Sequence, residues 1–335
     1  VGGLFVRNEN LSSLFSRYIK KRFPFMLGQR ILLAVSGGLD SMAMLHLFLE
    51  TREKLKIIPI VAHINHNLRP DSGRDAQFVD NFCQEHGVEC YLSEINEEFW
   101  DSGKGNIEDR ARRERYRLLE KISRKCRVAY IATAHHRDDQ VETVLMRILD
   151  RGTGLQGLGG IAELSASGKI NYLRPLLRFS RRQLADYMAD RAWIEDISNA
   201  DIDIRRNLFR HEVIPRLEKV LGHPVGDHVA RLAETAGQYD EVLSVALNHF
   251  WETHRRSPRS RAYLLTCSEI ANYPDAFWLA AIAHLVRQAR GYTFGARTLK
   301  DMVGFLRGDS AFASYQPLTI RKDKLKGHVW IGLNG

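Results

Sequence analysis

The chain has 335 residues, 44% of them apolar and 27% charged, with a formal net charge of +9 and a pI of about 9.4. That length exceeds one ordinary domain and suits two or three, with enough apolar material to bury a sizeable core. No apolar run approaches the length of a membrane span, the first residues lack the order of a secretory signal, and Cys83, Cys90, Cys126 and Cys267 match no zinc or iron–sulfur spacing. A cytoplasmic protein with free thiols is expected. The basic balance admits either a polyanionic partner or a mildly basic surface without one.

Residues 31–35 form a short apolar run ended by glycines and read as a buried strand. Helical spacing follows over 42–55, then a strand over 57–64, a helix over 71–86 and a strand over 88–92. An arginine-rich helix over 106–124, a strand over 128–133 and a helix over 138–150 continue the series. This alternation predicts an α/β fold with a doubly wound parallel sheet, which binds ligands at the carboxyl ends of its strands. Residues 152–160 carry five glycines in nine positions, so a loop is expected there. Residues 172–177 read as a last edge strand, with Pro175 limiting its pairing, and 181–191 as a helix. Long helices dominate from about Asn207, over 213–220, 227–251 and 276–290, and strand-like alternation returns only over 318–331. The expected division falls near 210–225, with Gly222-His223-Pro224 as a break. It gives a catalytic domain over 1–215 and a mostly helical domain over 216–335. Arg255, Arg256, Arg259 and Arg261 mark an exposed basic loop.

The first strand and first helix are joined by Ser36-Gly37-Gly38-Leu39-Asp40-Ser41. Glycines let a backbone approach a phosphate closely and adopt positive φ. The first N–H groups of a helix have no intrahelical partner, and the helix dipole favours an anion there. The two serine hydroxyls add donors. The string lacks the lysine of the Walker A pattern and carries Asp40 instead. A carboxylate beside a polyphosphate repels it unless a cation lies between, so Mg²⁺ is implied, with Asp40 as its ligand or outer-shell partner. The alternative is a turn whose Ser and Asp merely cap a helix.

On a helix, His135, Asp139 and Glu142 stand at i, i+4 and i+7, which is one face. Two carboxylates there can hold an ammonium, a metal or both, or can simply complement the helix dipole. Arg112 and Arg115, at i and i+3, can clamp developing negative charge, or can pair with acids on a solvated helix. Arg205, Arg206 and Arg210 suit phosphate contacts to a nucleic acid, or the cleft itself. His66 and Arg69 follow the second strand, within reach of the cleft.

Ser-Gly-Gly-Leu-Asp-Ser resembles the signature of the PP-loop ATP pyrophosphatases. Further segments, in order, resemble the tRNA(Ile)-lysidine synthetase family of that superfamily. They are His63-Ile64-Asn65-His66-Asn67-Leu68-Arg69, Asn106 to Tyr116 with its Ala-Arg-x-x-Arg-Tyr pattern, Ala134-His135-His136-Arg137-Asp138-Asp139-Gln140-Val141-Glu142-Thr143, Arg174-Pro175-Leu176-Leu177, Glu195-Asp196-Ile197-Ser198-Asn199, and Arg206-Asn207-Leu208-Phe209-Arg210. The resemblance is dense from about residue 30 to 216 and weak beyond. It implies that ATP is cleaved between its α and β phosphates with Mg²⁺, the 36–41 loop holding pyrophosphate. It implies L-lysine joined to C2 of the wobble cytidine in the CAU anticodon of tRNA(Ile), through an adenylated tRNA, with AMP released. It selects Arg112 and Arg115 as clamps, and gives Asp139 and Glu142 lysine's ammonium, whose pKa of about 10.4 requires loss of a proton before attack. It places His66, Arg69, His135, Arg205, Arg206 and Arg210 toward lysine or tRNA. The rival readings are a tRNA-thiolating enzyme of the same superfamily, which usually needs paired cysteines, and a non-catalytic nucleotide-binding protein.

Overall fold

The computed structural model describes residues 10–67, 72–96, 99–100, 107–151, 155–167, 169–195, 205–257, 260–290, 294–308, 310–323 and 325–333. The chain divides into two compact units, Val1–Gly237 and Gln238–Gly335. Among the described residues no helix is long and apolar enough to cross a membrane.

The first unit runs α1 (Leu11–Arg22), β1 (Arg30–Ala34), α2 (Leu39–Leu55), β2 (Ile58–Asn65), α3 (Ser72–Glu85), β3 (Glu89–Glu94), α4 (Ile107–Cys126), β4 (Tyr130–Ala132) and α5 (Arg137–Arg151). A short α6 (Leu155–Leu158), β5 (Leu164–Ser167), β6 (Ile170–Leu173) and α7 (Arg181–Tyr187) follow. Then come α8 (Arg205–Leu208), a π-helical turn at Phe209–Val213, α9 (Ile214–Leu221) and the first part of α10 (Gly226–Thr253), whose residues after Gly237 belong to the second unit. The six strands lie in the order β3-β2-β1-β4-β6-β5, all neighbours parallel except β5 against β6. Side chains alternate across β1, so Ile31 and Leu33 join one core with Phe15, Met42, Leu45 and Phe48, while Leu32 joins another with Leu118, Leu119 and Ile122. Both faces of β1 are thus covered, which is why it reads as an unbroken apolar run. The chain proceeds from β1 toward β2 and β3, then returns to place β4 on the other side of β1. The carboxyl ends of β1 and β4 therefore flank a topological switch point, the usual ligand position in such sheets.

Three local expectations change, and one helix stands where the sequence suggested no element. Residues 172–177 do not form the sheet edge: β6 is an inner strand, and β5 takes the edge. The glycine-rich stretch contains α6, and its end is tied down rather than loose. The Gln140 side-chain amide donates to Gly159 and Ile161 carbonyls at 3.0 and 3.3 Å, and Arg147 donates to Gly157 and Gly160 carbonyls at 3.0 and 2.7 Å. Residues 11–22 form a helix that packs Phe15 edge-on against Phe48, with ring centroids 5.2 Å apart. Finally, helices beyond 216 belong partly to the first unit. Val225, Val229 and Ala233 pack with Val141, Val144, Leu145 and Phe209, so burial carries the first unit on to Gly237.

The second unit contains β7 (Ala262–Thr266), α11 (Cys267–Asn272), α12 (Asp275–Arg290), α13 (Ala296–Arg307), β8 (Phe312–Tyr315), β9 (Leu318–Asp323) and β10 (His328–Leu333). Its four strands form an antiparallel sheet in the order β7-β10-β9-β8. Tyr263, Leu265, Leu318, Ile320, Val329 and Ile331 turn one sheet face onto Trp278, Ile282 and Leu285 of α12 and Met302 and Leu306 of α13. A capping box of Thr266 and Glu269 starts α11.

Candidate active site

The 36–41 loop connects β1 to α2. Gly38 is the N-cap of α2, and no side chain among the described residues caps that helix. Its first N–H groups are left for an outside acceptor. The Ser36 N–H donates to the Ser41 hydroxyl at 3.1 Å, and the Ser41 hydroxyl donates to the Gly38 carbonyl at 2.9 Å. These bonds fold the loop into a closed turn. Gly37 has φ +93°, and a Cβ there would stand 2.9 Å from Ile194 Cδ1. The positive φ is what favours glycine here, since the Ile194 side-chain end can shift aside. The Ile194 N–H donates to the Gly37 carbonyl at 2.9 Å, so the segment after α7 braces the loop.

Asp40 lies in the first turn of α2. Its Oδ2 stands 3.5 Å from His136 Nε2, and its Oδ1 is buried with no hydrogen-bond partner among the described residues. A buried carboxylate oxygen left open is what a cation ligand requires. No group of three or more His, Cys, Asp or Glu among the described residues forms a cage for a metal ion. A carboxylate such as Asp40 beside a phosphate-type loop fits Mg²⁺, which takes one or two protein carboxylates and completes its shell with water and substrate phosphates.

His136 was not singled out from the sequence, yet it is the hub between the loop and the acidic helix. It is 1% exposed, with Nε2 3.5 Å from Asp40 and 3.6 Å from Asp139. Burial opposes its charge, but the hydrogen bond to Asp40 and the charges of Asp139, Asp40 and Asp138 win and raise its pKa. The signal was the doubled histidine at 135–136 three residues before Asp139. His135 stands just before α5 rather than on it, so the helical-face argument holds for Asp139 and Glu142 but does not extend to His135. Thr133 and His135 are hydrogen-bonded at 2.9 Å. Burial, with Arg174, Arg206 and Arg112 nearby, outweighs the pull of Asp139 and brings the His135 pKa down to about 3.

Asp139 and Glu142 do converge, but their charges are already matched. Arg206 pairs with Glu142 Oε2 at 2.7 Å and Asp139 Oδ1 at 3.0 Å. Arg210 pairs with Glu142 Oε1 at 2.6 Å and Asp139 Oδ1 at 3.2 Å. Asp139 Oδ2 accepts the His136 N–H at 2.9 Å. Burial pushes the Asp139 pKa up, and His136 and Arg206 pull it further down. Arg206 and Arg210 thus turn inward to the acidic pair, rather than standing out toward nucleic acid.

Arg112 and Arg115 flank the Tyr116 ring, their guanidinium carbons 5.4 and 5.8 Å from its centroid. Burial lowers the Arg115 pKa, and the positive charges of Arg112 and Arg206 add to this. Arg174 is buried and donates to Ala162 and Tyr172 carbonyls and to the Ser165 hydroxyl. Its pKa is lowered by burial, with Arg112 contributing. Arg112, Arg115, Arg174 and Arg206 thus share one electropositive region around the neutral His135, a setting that favours an anion. Arg205 is exposed at the start of α8, and His66 is half-buried after β2, its carbonyl accepting from the Trp100 indole at 3.1 Å. Arg69 lies outside the described residues. His63 links the site's base, its Nδ1 3.0 Å from the Val35 carbonyl beside Ser36. Cys83 and Cys90 are hydrogen-bonded to each other between α3 and β3, Cys83 fully buried in the core.

A PP-loop domain model, ATP_bind_3, matches residues 9–217. The tRNA(Ile)-lysidine synthase of Chlorobaculum tepidum is 37% identical over 231 residues, covering 68% of each chain. That of Wolbachia pipientis wMel is 41% identical over 54% of this chain and 42% of its own, and that of Thermotoga maritima 36% identical over 61% and 49%. The chain thus spans two thirds of the first relative and under half of the other two. Among solved structures, the U34-tRNA thiolase NcsA from Methanococcus maripaludis with its [4Fe-4S] cluster superposes with a TM-score of 0.53 at 18% identity, over 68% of this chain and 79% of that one, a likeness of fold. With the phosphate-type loop at the switch point, these matches establish that the chain belongs to the PP-loop family and, within it, to the tRNA(Ile)-lysidine synthases.

Proposed function

We propose that this chain ligates L-lysine to C2 of the wobble cytidine in the CAU anticodon of tRNA(Ile), converting ATP to AMP and pyrophosphate and changing decoding from AUG to AUA. The observation that carries this is the uncapped start of α2, with the open Asp40 oxygen beside it and the arginine-rich region close by. The cytidine C2 oxygen attacks the α-phosphate of ATP, and the bond to the pyrophosphate breaks. The N–H groups of the 36–41 loop and its serines receive the departing pyrophosphate. Asp40 would hold Mg²⁺, which would supply charge neutralisation for the phosphates. Arg112 and Arg115 bear on the charge growing at the α-phosphate, a role of positioning and preorganised electrostatics.

In the second step the lysine ε-amine attacks C2 and AMP departs. Asp139 and Glu142 receive the ammonium form, which exchanges with the Arg206 guanidinium, and this carboxylate pair takes up the proton that lysine loses before its amine attacks. Arg206 is the more exposed of the two arginines, at 31% against 20% for Arg210. Arg210 stays and keeps the pair ordered. The segment from 216 onward is assigned to tRNA binding, and four free thiols suit a reducing cytoplasm.

The test is incubation with ATP, Mg²⁺, radiolabelled lysine and a CAU-anticodon tRNA transcript. Label is expected on that RNA and not on a transcript with the wobble cytidine replaced. Absence of label, or equal labelling of both, contradicts the proposal.

A further inference from the structure

The outward face of the second unit's sheet carries an ordered row that the catalytic site does not use. Trp330 of β10 lies opposite Leu264 of β7 and Arg321 of β9, and Arg321 lies opposite Phe312 of β8. Their neighbours along the strands, Val329, Ile331 and Ile320, are buried on the other face, so strand alternation turns this row outward. The Arg256 guanidinium sits 5.0 Å from the Trp330 ring centroid, and that of Arg321 sits 5.5 Å from Phe312. Arg256 comes from the basic loop that the sequence marks before β7. An open cleft of ≈ 520 Å³ is lined by Ala311, Arg321, Lys322, Asp323, Leu325 and Trp330. Leu325 is 100% exposed and Phe312 56%. Residues 238–335 hold 13 Lys and Arg against 8 Asp and Glu, so this unit has its own positive excess.

Phe312, which is exposed, and Trp330, which is half-buried, alternate with guanidinium groups across this sheet face, and that pattern suits one class of partner. Unpaired bases stack on aromatic faces and on guanidinium planes, while the same cations meet the phosphates between them. The positive excess of this unit, with guanidinium groups beside the rings, favours a polyanion that also offers flat faces over a neutral protein surface. We propose that this face is a stacking platform for unpaired nucleotides of RNA, with a base in the cleft beside Trp330 and Arg321 and the backbone tracking toward Arg256. Its biological occupant is a single-stranded stretch of the tRNA, which rests on the function proposed above.

The experiment uses the full chain and a fluorescein-labelled single-stranded oligo(rU) of twelve nucleotides, with an RNA duplex as control. Trp330→Ala should weaken oligo(rU) binding on the order of ten-fold or more, and Trp330→Phe, which keeps a stacking ring, should retain most of it. Arg256→Ala and Arg321→Ala should each reduce the log–log salt slope by about 0.7. In lysine incorporation, Trp330→Ala should raise the KM for tRNA and leave kcat at saturating tRNA unchanged. Circular-dichroism melting of both Trp330 variants controls for folding. Equal oligo(rU) affinity in wild type and folded Trp330→Ala overturns the platform, as does a change in self-association with RNA affinity unmoved. Trp330-dependent binding by a protein that incorporates no lysine sinks the ligase proposal and leaves the platform. Lysine incorporation with an unmoved tRNA KM does the reverse.

Discussion

The phosphate loop and the acidic pair face each other across His136 and are built in opposite ways. The loop is closed on itself by Ser36 and Ser41, yet leaves its outward donors and one Asp40 oxygen open. The acidic pair is closed outright, with the oxygens of Asp139 and Glu142 matched by Arg206, Arg210 and the His136 N–H. A site with open valence is ready for its ligand, and rigid donors lose little on binding. A site with matched charges must first exchange a partner. This difference suggests an order of events: nucleotide chemistry at the loop, then lysine at the pair.

The largest expected effect is at the open site. Asp40→Asn keeps the shape but removes the charge that faces the cation, and pyrophosphate release should fall about 100-fold or more with an unchanged melting temperature. Near-normal release would show that the open oxygen has no cation role. At the closed site, Arg210→Ala leaves the buried Glu142 under-compensated and should destabilise the fold by about 2–4 kcal/mol in urea titration. Arg210→Met with Glu142→Gln, which removes both charges, should recover much of that loss. Arg206→Ala should lower the KM for lysine several-fold, because a competing guanidinium is gone and a larger fraction of the pair is competent. A raised lysine KM would instead make Arg206 part of the lysine site.

A smaller effect is expected at Gly37. Alanine there must adopt φ +93° and meet Ile194, costing about 1–2 kcal/mol and weakening ATP binding in equilibrium dialysis. The smallest effects are titrations. The His135 pKa is brought down to about 3, so the unfolded chain takes up a proton that the folded one refuses. Stability from this group is complete above its ordinary value, about 6.5, and declines as pH falls from there toward 3. His136 has the opposite sign: its pKa is raised, so its contribution is complete below about 6.5 and is lost as pH rises through the raised value. Urea midpoints of His135→Gln and His136→Gln across pH 4–9 should flatten the acid and alkaline sides respectively.

Much of this was legible in the sequence because local rules decide it. Buried parallel strands read as apolar runs, and glycines after a strand read as a phosphate loop. What escaped depends on long-range pairing. Nothing local tells that Arg206 and Arg210, more than sixty positions downstream, turn inward to Asp139 and Glu142. His136 looked secondary because the helical wheel favoured His135, and the helix begins two residues too late for that wheel to apply. Cys83 and Cys90 meet only because α3 folds back beside β3. The edge role expected of residues 172–177 failed because β5, a short strand, covers them.

The most direct test of the open-loop account is pyrophosphate release from ATP, Mg²⁺ and CAU-anticodon tRNA with no lysine present. About one equivalent of pyrophosphate per bound tRNA is expected, with AMP retained on the RNA, and none from Asp40→Asn. Release that begins only when lysine is added, or that proceeds equally in Asp40→Asn, would contradict it.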